Sequence, residues 1–195
     1  SRSFFASAAS DWDRIRADYF GTQFSITGLL GLLDPKLVVA DIGCGTGALL
    51  EQLSPFVQRV IGIDNSDDML AAARLRIKGL KNVQLHAADV SSLPLKNASV
   101  DATMCVLSLS YVQDVAASVT EIRRVLRPGG RAVIVDILPH DRDDFRRQVG
   151  QVRMGFDQTT TTDLLRSVGF ASVTFRPLPP EPGAKGPALF IAIAS

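Results

Sequence analysis

Cysteine is scarce: Cys44 and Cys105 are the only two in 195 residues. Two thiols make no disulfide framework, so the fold must rest on an apolar core, and a reducing cytoplasm is the expected compartment. A basic excess is missing too. Lys and Arg total 21 against 20 acids, a formal net charge of +1, which offers no electrostatic footprint for nucleic acid. No apolar run reaches the ~18 residues of a membrane span, and no signal-peptide pattern is present. Histidine is limited to His86 and His140, so imidazole chemistry has two places to sit. Internal repeats are absent. The chain opens on Ser1 without a methionine, as expected of a processed or excised chain.

What is present is an ordinary globular composition, 46% hydrophobic and 21% charged, long enough for one domain with a buried core. Residues 3 to 20, "SFFASAASDWDRIRADYF", read as an amphipathic helical arm, followed by a short helix ending near Gly31. "KLVVADI" (36–42) is a continuous apolar strand of the doubly buried kind. Further strands are expected at 59–64, 83–89, 100–107 and 131–138, and helices at about 47–54, 66–78 and 114–127. Ser66 is a good N-cap and Gly79 a stop. Helical patterns follow at about 142–153 and 160–168, then two strands, "ASVTFRPL" and "ALFIAIAS", joined by a Pro/Gly-rich loop. Strands alternating with helices imply right-handed crossovers and a parallel sheet; the last two strands, with no helix between them, imply an antiparallel hairpin. The expectation is an α/β fold: a Rossmann-like, doubly wound seven-stranded sheet, mostly parallel, with an antiparallel C-terminal hairpin strand. It is a single domain over 1–195, with a helical arm at 1–33, a cofactor-binding core at 36–138, and substrate-side helices and hairpin at 139–195.

The first strand runs into "DIGCGTG", with Gly43, Gly45 and Gly47 before a helix. Strand, glycine turn and helix form the adenosine-cofactor site of open α/β sheets, because glycine lets backbone N–H groups approach a ligand closely. The stretch from Gly43 also satisfies G-x-G-x-x-A, which leaves a dinucleotide formally allowed. Asp64 ends the second strand, where a carboxylate can accept from both ribose hydroxyls; both cofactor classes use that arrangement. Asp41 discriminates. A carboxylate beside a pyrophosphate is unfavourable, whereas one beside an ammonium and a sulfonium is favourable.

"DIGCGTG", "IGIDNSDDML", "AADVSSLPLKNASVD" and "EIRRVLRPGGRAVIVD" resemble, in order and spacing, the successive motifs of class I S-adenosylmethionine-dependent methyltransferases, nearest to the ubiquinone/menaquinone-biosynthesis type. The resemblance covers about residues 36 to 138. It implies S-adenosylmethionine as cofactor, with Asp41 and the glycine loop at its methionine part, Asp64 at the ribose, and Asn65 and Met69 against the adenosine. It further implies Asp89 at the adenine amino group, Ala88 and Val90 flanking the ring, and Val106 near the sulfonium. A narrower resemblance, carried by "FFASAASDWDRIR" and "DILPHDRDDFRRQVGQVRMGF", is to methyltransferase domains fused behind winged-helix regulators of the arsenic-repressor type.

Methyl transfer is an in-line displacement in which positioning does much of the work; a base is needed only if the acceptor loses a proton as it attacks. His140 after strand five and Tyr111 after strand four are the candidate catalytic residues. Trp12 and Tyr19 on the arm are candidates to close over the cofactor. Phe145, Val149 and Val152 are expected on one helical face, as a lid over the acceptor. Metal-dependent catechol chemistry lacks its acidic ligand set, arsenite methylation lacks its thiols, and the signature of amino-group nucleic-acid methylases is absent after strand four. The expected function is methyl transfer to a small-molecule acceptor, with no metal, no nucleic-acid contact from this domain, and a homodimer allowed. The competing readings are a cofactor-binding regulatory module without turnover, and a nicotinamide-dependent oxidoreductase, against which Asp41 and the closing hairpin speak.

Overall fold

The computed structural model describes Ala9 and residues 11–195. The chain divides into two units, Ser1–Asp34 and Pro35–Ser195. The first carries helix α1 (Trp12–Phe20) and helix α2 (Phe24–Leu29), extended by a 3-10 turn, Leu30–Leu32. The expected arm helix therefore begins no earlier than Trp12 among the described residues, and residues 3 to 8 and 10 of that expectation lie outside them. Neither helix has a fully buried residue. Arg16 stacks over the Phe24 ring at 4.9 Å, and Phe20 meets Phe24 edge-on at 6.2 Å.

The second unit is a seven-stranded sheet with helices between its strands. Its elements are β1 (Val38–Ile42), α3 (Ala48–Leu53), β2 (Arg59–Asp64), α4 (Asp67–Arg76), β3 (Val83–Ala87), β4 (Val100–Val106), α5 (Val115–Val125), β5 (Leu126–Ile137), α6 (Asp143–Val149), α7 (Gln158–Ser167), β6 (Val173–Pro177) and β7 (Leu189–Ala194). The strand order is β3-β2-β1-β4-β5-β7-β6. β1 to β5 pair in parallel, and β7 runs antiparallel between β5 and β6. The sequence is thus right about the mostly parallel sheet and its antiparallel ending. The order reverses between β1 and β4, so the crevice outside their carboxyl ends is the place for a ligand in this topology.

Local chemistry explains most boundaries. All five residues of β1 are buried, as a strand covered on both faces requires. The Ser66 hydroxyl accepts the Met69 N–H and caps α4, whose first turn is acidic and last turn basic. The β6–β7 hairpin is fixed by Phe190, 1% exposed, which stacks on Phe175 at 4.4 Å and meets Phe156 at 6.4 Å.

Two expectations are corrected, for β5 and for the helix at 142–153. The β3–β4 crossover, residues 88–99, where no helix was expected, has none. Its backbone is held from α5 instead: Glu121 accepts the Leu93 N–H at 2.7 Å, and Arg124 donates to the Leu93 and Leu95 carbonyls at 3.0 and 2.8 Å. β5 begins at Leu126, not after the Pro-Gly-Gly turn, because Leu126 already pairs with Val100 before the chain loops out and rejoins with Arg131 opposite Ala102. The helix expected at 142–153 stops at Val149, where Gly150 takes φ +75°. Val152 therefore lies beyond it, and Phe145, Val149 and Val152 do not share one helical face.

Candidate functional site

A cavity of about 910 Å³ opens at the carboxyl ends of β1, β2 and β4. Its floor is set by register. Asp41 stands opposite Gly62 on β2 and Met104 on β4, and its carboxylate, 3% exposed, lines the base of the cavity. Burial first, and the Asp64 charge second, push the Asp41 carboxyl up to about 7. Near neutral pH the carboxyl of the free protein is therefore about half protonated, and a cationic ligand would displace that proton.

The glycine loop folds over this acid. The Gly43 and Cys44 N–H groups both donate to the Ile63 carbonyl, at 2.8 and 3.0 Å. Gly43 takes φ +73°, and a β-carbon there would stand 2.2 Å from Ser108 Oγ. That hydroxyl shares its one proton between the Gly43 carbonyl at 3.2 Å and the Val106 carbonyl at 3.1 Å, tying the loop to the end of β4. Gly45 lines the cavity, whereas Gly47 does not. Gly47 begins α3 in the left-handed region, and a β-carbon on it would press on Ala73 of α4 at 3.2 Å, so its role is packing.

Asp64 ends β2 with both oxygens already engaged: Oδ2 accepts the Gly45 N–H at 2.8 Å and Oδ1 the Ser66 N–H at 2.9 Å. A carboxylate has about four lone-pair sites, so two remain for a ligand's hydroxyls. Asp89 is oriented from its own turn, accepting the Ser91 N–H and hydroxyl at 2.8 and 2.6 Å. These bonds hold its carboxyl below the ordinary range. Asn65 reaches Asp89 at 3.5 Å across the cavity edge. Met69, Val90 and Val106 add apolar wall, while Ala88 lies outside the lining and donates its N–H to the Asp64 carbonyl at 3.0 Å. The structure thus gathers Asp41, Gly43, Gly45, Asp64, Asn65, Met69, Asp89, Val90 and Val106 round one cavity. A buried acid at the base, two acids at successive strand ends and a cradle that admits no β-carbon fit the cation, ribose and base of S-adenosylmethionine.

Of the two catalytic candidates, Tyr111 lines the cavity and His140 does not. His140 Nδ1 accepts the Arg142 N–H at 3.1 Å, and its ring meets Phe145 edge-on at 5.8 Å. Its Nε2 is buried without a hydrogen-bond partner. Tyr111 is protonated at neutral pH, because burial and then the Asp136 charge push its hydroxyl above the usual value. A protonated phenol has no proton-accepting role as a general base. Trp12 and Tyr19 belong to the first unit, and His86 sits within β3 opposite Ile63.

Sequence reasoning missed Leu107, Ser108 and Cys44, all in the lining. Leu107 takes φ +53°, unusual for a side chain of this kind, while its N–H still reaches the Val135 carbonyl at 2.7 Å. Nothing in "CVLSLSY" announces that turn. The Cys44 thiol is pushed up to about 12, by burial and then by Asp41 and Asp64, so it is a wall and no nucleophile. Among the described residues, no cluster of His, Cys, Asp or Glu suits a metal, and no helix is long and apolar enough to cross a membrane.

Comparison with known proteins agrees with this geometry. Residues 40–134 match the methyltransferase-domain family. The chain is 30% identical over 174 residues to a demethylmenaquinone methyltransferase of Corynebacterium kroppenstedtii, covering 75% of this chain and 74% of that protein. It is 43% identical over 111 residues to an uncharacterised 37.1 kDa protein in transposon TN4556 of Streptomyces fradiae, covering 54% of this chain and 32% of the relative. The crystal structure of YcgJ from Bacillus subtilis superposes with a TM-score of 0.65 at 27% identity, over 78% of this chain and 72% of that one. Against curated relatives including the transposon protein and YcgJ, the chain spans only about a third to a half of the relative's length.

Proposed function

The chain belongs to the class I S-adenosylmethionine-dependent methyltransferases, of the quinone-biosynthesis type, and we propose that it transfers a methyl group to a small-molecule acceptor. The observation that carries this reading is the buried Asp41 at the base of a cavity whose rim holds Asp64 and Asp89. The cofactor supplies an S–CH3 bond that breaks with its electron pair left on sulfur, while a lone pair of the acceptor forms the new bond. The chain's own residues do the positioning. Asp41 would face the cationic part, Asp64 the ribose and Asp89 the base, and Gly43 and Gly45 let the loop backbone close in. Val106, Leu107 and Tyr111 form the wall left for the acceptor. The names of relatives, demethylmenaquinone methyltransferases, support a quinone-derived ring as acceptor.

Incubation with methyl-labelled S-adenosylmethionine and a panel of naphthols, phenols, thiols and amines tests the reading. Label should appear in an extracted small molecule. Tight cofactor binding with no labelled product across the panel would favour a regulatory module instead.

Two further outcomes are expected. Affinity for S-adenosylhomocysteine, whose ammonium needs an ionised Asp41, should rise with pH and level off above the Asp41 value. The group's folded value, about 7, lies above its ordinary 3.8. The free fold is therefore stabilised by the bound proton and loses that stability as pH rises from about 4 to 7. Ligand binding below 7 must release that proton, which weakens it about tenfold between about pH 8 and pH 6. Calorimetry at both values, with Asp41→Asn as the flat control, checks this. Trp12 is the only tryptophan, so closure of the arm over the cofactor predicts a shifted emission on adding S-adenosylhomocysteine. An unchanged spectrum at saturation would contradict that role.

A further inference from the structure

The turn that carries Asp89 has no helix or ladder of its own. Residues 88–99 contain neither, yet Asp89 and Val90 line the cofactor cavity from within this crossover. Asp89 aims its carboxylate from inside the turn, through the Ser91 N–H and hydroxyl, and the Ser92 N–H closes the turn on the Asp89 carbonyl at 3.0 Å. Those bonds shape the turn without tying it to the rest of the molecule. Apart from the long Asn65 contact at 3.5 Å, the polar ties lie at its two ends. The entrance is held by the Ala88 N–H on the Asp64 carbonyl at 3.0 Å. The exit is held one residue after Ser92, at Leu93, which is 5% exposed. There Glu121 accepts the N–H at 2.7 Å and Arg124 donates to the carbonyl at 3.0 Å.

Both side chains come from one turn of α5. The Arg124 guanidinium has five N–H groups, and all are used. Two go to Glu121, and the others go to the Leu93 and Leu95 carbonyls and to Asn97 Oδ1. The Glu121 carboxylate takes two bonds from Arg124 and one from the Leu93 N–H. A lysine has three donors on a single point charge and could not serve this planar set. An ion pair of this spacing on a partly exposed helix stabilises a fold only slightly. Closing the crossover does not call for it, because the Ala98 and Ser99 N–H groups already bond the Arg124 and Val125 carbonyls at the end of α5, at 3.0 and 2.8 Å. What the two side chains add lies upstream, at 93–97, next to the turn that faces the ligand.

We propose that Arg124 and Glu121 are positioning residues that set the adenine specificity of the cofactor site. Neither lines the cavity, so they act through the 89–92 turn. With its exit clamped, the Asp89 carboxylate stands at one place on the cavity edge and favours a base that brings an N–H there. With the clamp loosened the carboxylate moves, and a base without that N–H is accepted almost as well. This role rests on the S-adenosylmethionine reading of the cavity, with Asp89 at the base.

Calorimetry with S-adenosylhomocysteine and with its 6-deamino purine analogue measures the role as a ratio of two affinities. A merely structural contribution would weaken both ligands alike and leave the ratio where it was. The unsubstituted chain should prefer S-adenosylhomocysteine about tenfold, the worth of one hydrogen bond to a charged group, and Asp89→Ala should erase the preference. Arg124→Met should lower it to about threefold or less, and should not change the ratio further in an Asp89→Ala background. Circular dichroism and thermal unfolding check the fold of each variant. A tenfold preference kept in folded Arg124→Met overturns the proposal, even where both affinities fall. A preference that is absent from the unsubstituted chain, or that survives Asp89→Ala, removes the base-reading role of Asp89 and the positioning role with it. If Arg124→Met does not fold, Glu121→Gln decides alone. It keeps the size of the side chain and turns one accepting oxygen into a donor, so the preference should fall about twofold or more. An unchanged ratio there overturns the proposal.

Discussion

Asp64→Ala should weaken S-adenosylhomocysteine binding by about a hundredfold or more. The carboxylate has two jobs. It accepts backbone N–H groups from Gly45 and Ser66 at 2.8 and 2.9 Å, fixing the glycine loop against the start of α4. Its two remaining lone-pair sites face the cavity, where the ribose would lie. Alanine removes both, leaving two N–H groups without their acceptor and the ligand's hydroxyls unpaired. A hydrogen bond to a charged group is worth about 1.5–3 kcal/mol, so losing two ligand bonds accounts for the size of the effect. The fold itself should survive, because β2 keeps its ladder to both β1 and β3. Calorimetry reads the affinity and thermal unfolding reads the stability. A near-normal affinity in a folded variant would refute the ribose assignment. Asp89→Ala is the useful contrast, since its carboxylate sits in an exposed turn of its own and would touch the ligand at one edge only. Its loss should be about tenfold.

Gly43→Ala should destabilise the free protein by about 2–5 kcal/mol, from a left-handed backbone and an overpacked contact. That is roughly 5–15 °C in Tm at this chain length. The new methyl would stand 2.2 Å from Ser108 Oγ and 2.6 Å from Ser108 Cβ. Neither atom is the loose end of a long side chain, and Ser108 is itself bonded to two carbonyls. The double variant Gly43→Ala with Ser108→Gly separates the causes. It opens the space but leaves φ at +73°, so it should recover the steric part of the loss and keep about 1–2 kcal/mol of it. No recovery at all would mean that the close approach to Ser108 is not what forbids a side chain at Gly43.

These residues mark where the sequence could be read and where it could not. β2 was legible from Arg59 to Asp64 because a short apolar run ended by an acid, with Ser66 following as a cap, has one local solution. Asp41, Asp64 and Asp89 were legible because each sits at the end of a strand or just past one, where chain order alone brings them to the same edge of a parallel sheet. The β6–β7 hairpin was legible because no helix lies between its strands. What holds the β3–β4 crossover was not, since its backbone is satisfied from afar by Glu121 and Arg124. Nor was the end of α6, where one glycine in the left-handed region outweighs an apolar pattern that continues to Val152. His140 was placed near the substrate by its position after β5, yet its ring turns to Phe145 and to the Arg142 N–H. Ser108 and Leu107 share one short turn, and their partners Gly43 and Val135 are 65 and 28 positions away. Contacts of that kind have no local pattern to announce them.

The central claim is that the acid-lined cavity is built for S-adenosylmethionine and not for a dinucleotide. Calorimetric titration of the unsubstituted chain at about pH 8, with S-adenosylhomocysteine and then with NADH, tests it most directly. The account predicts one site for S-adenosylhomocysteine with a Kd of about 10 μM or tighter, and no heat from NADH at about 1 mM. NADH binding with S-adenosylhomocysteine silent would contradict it.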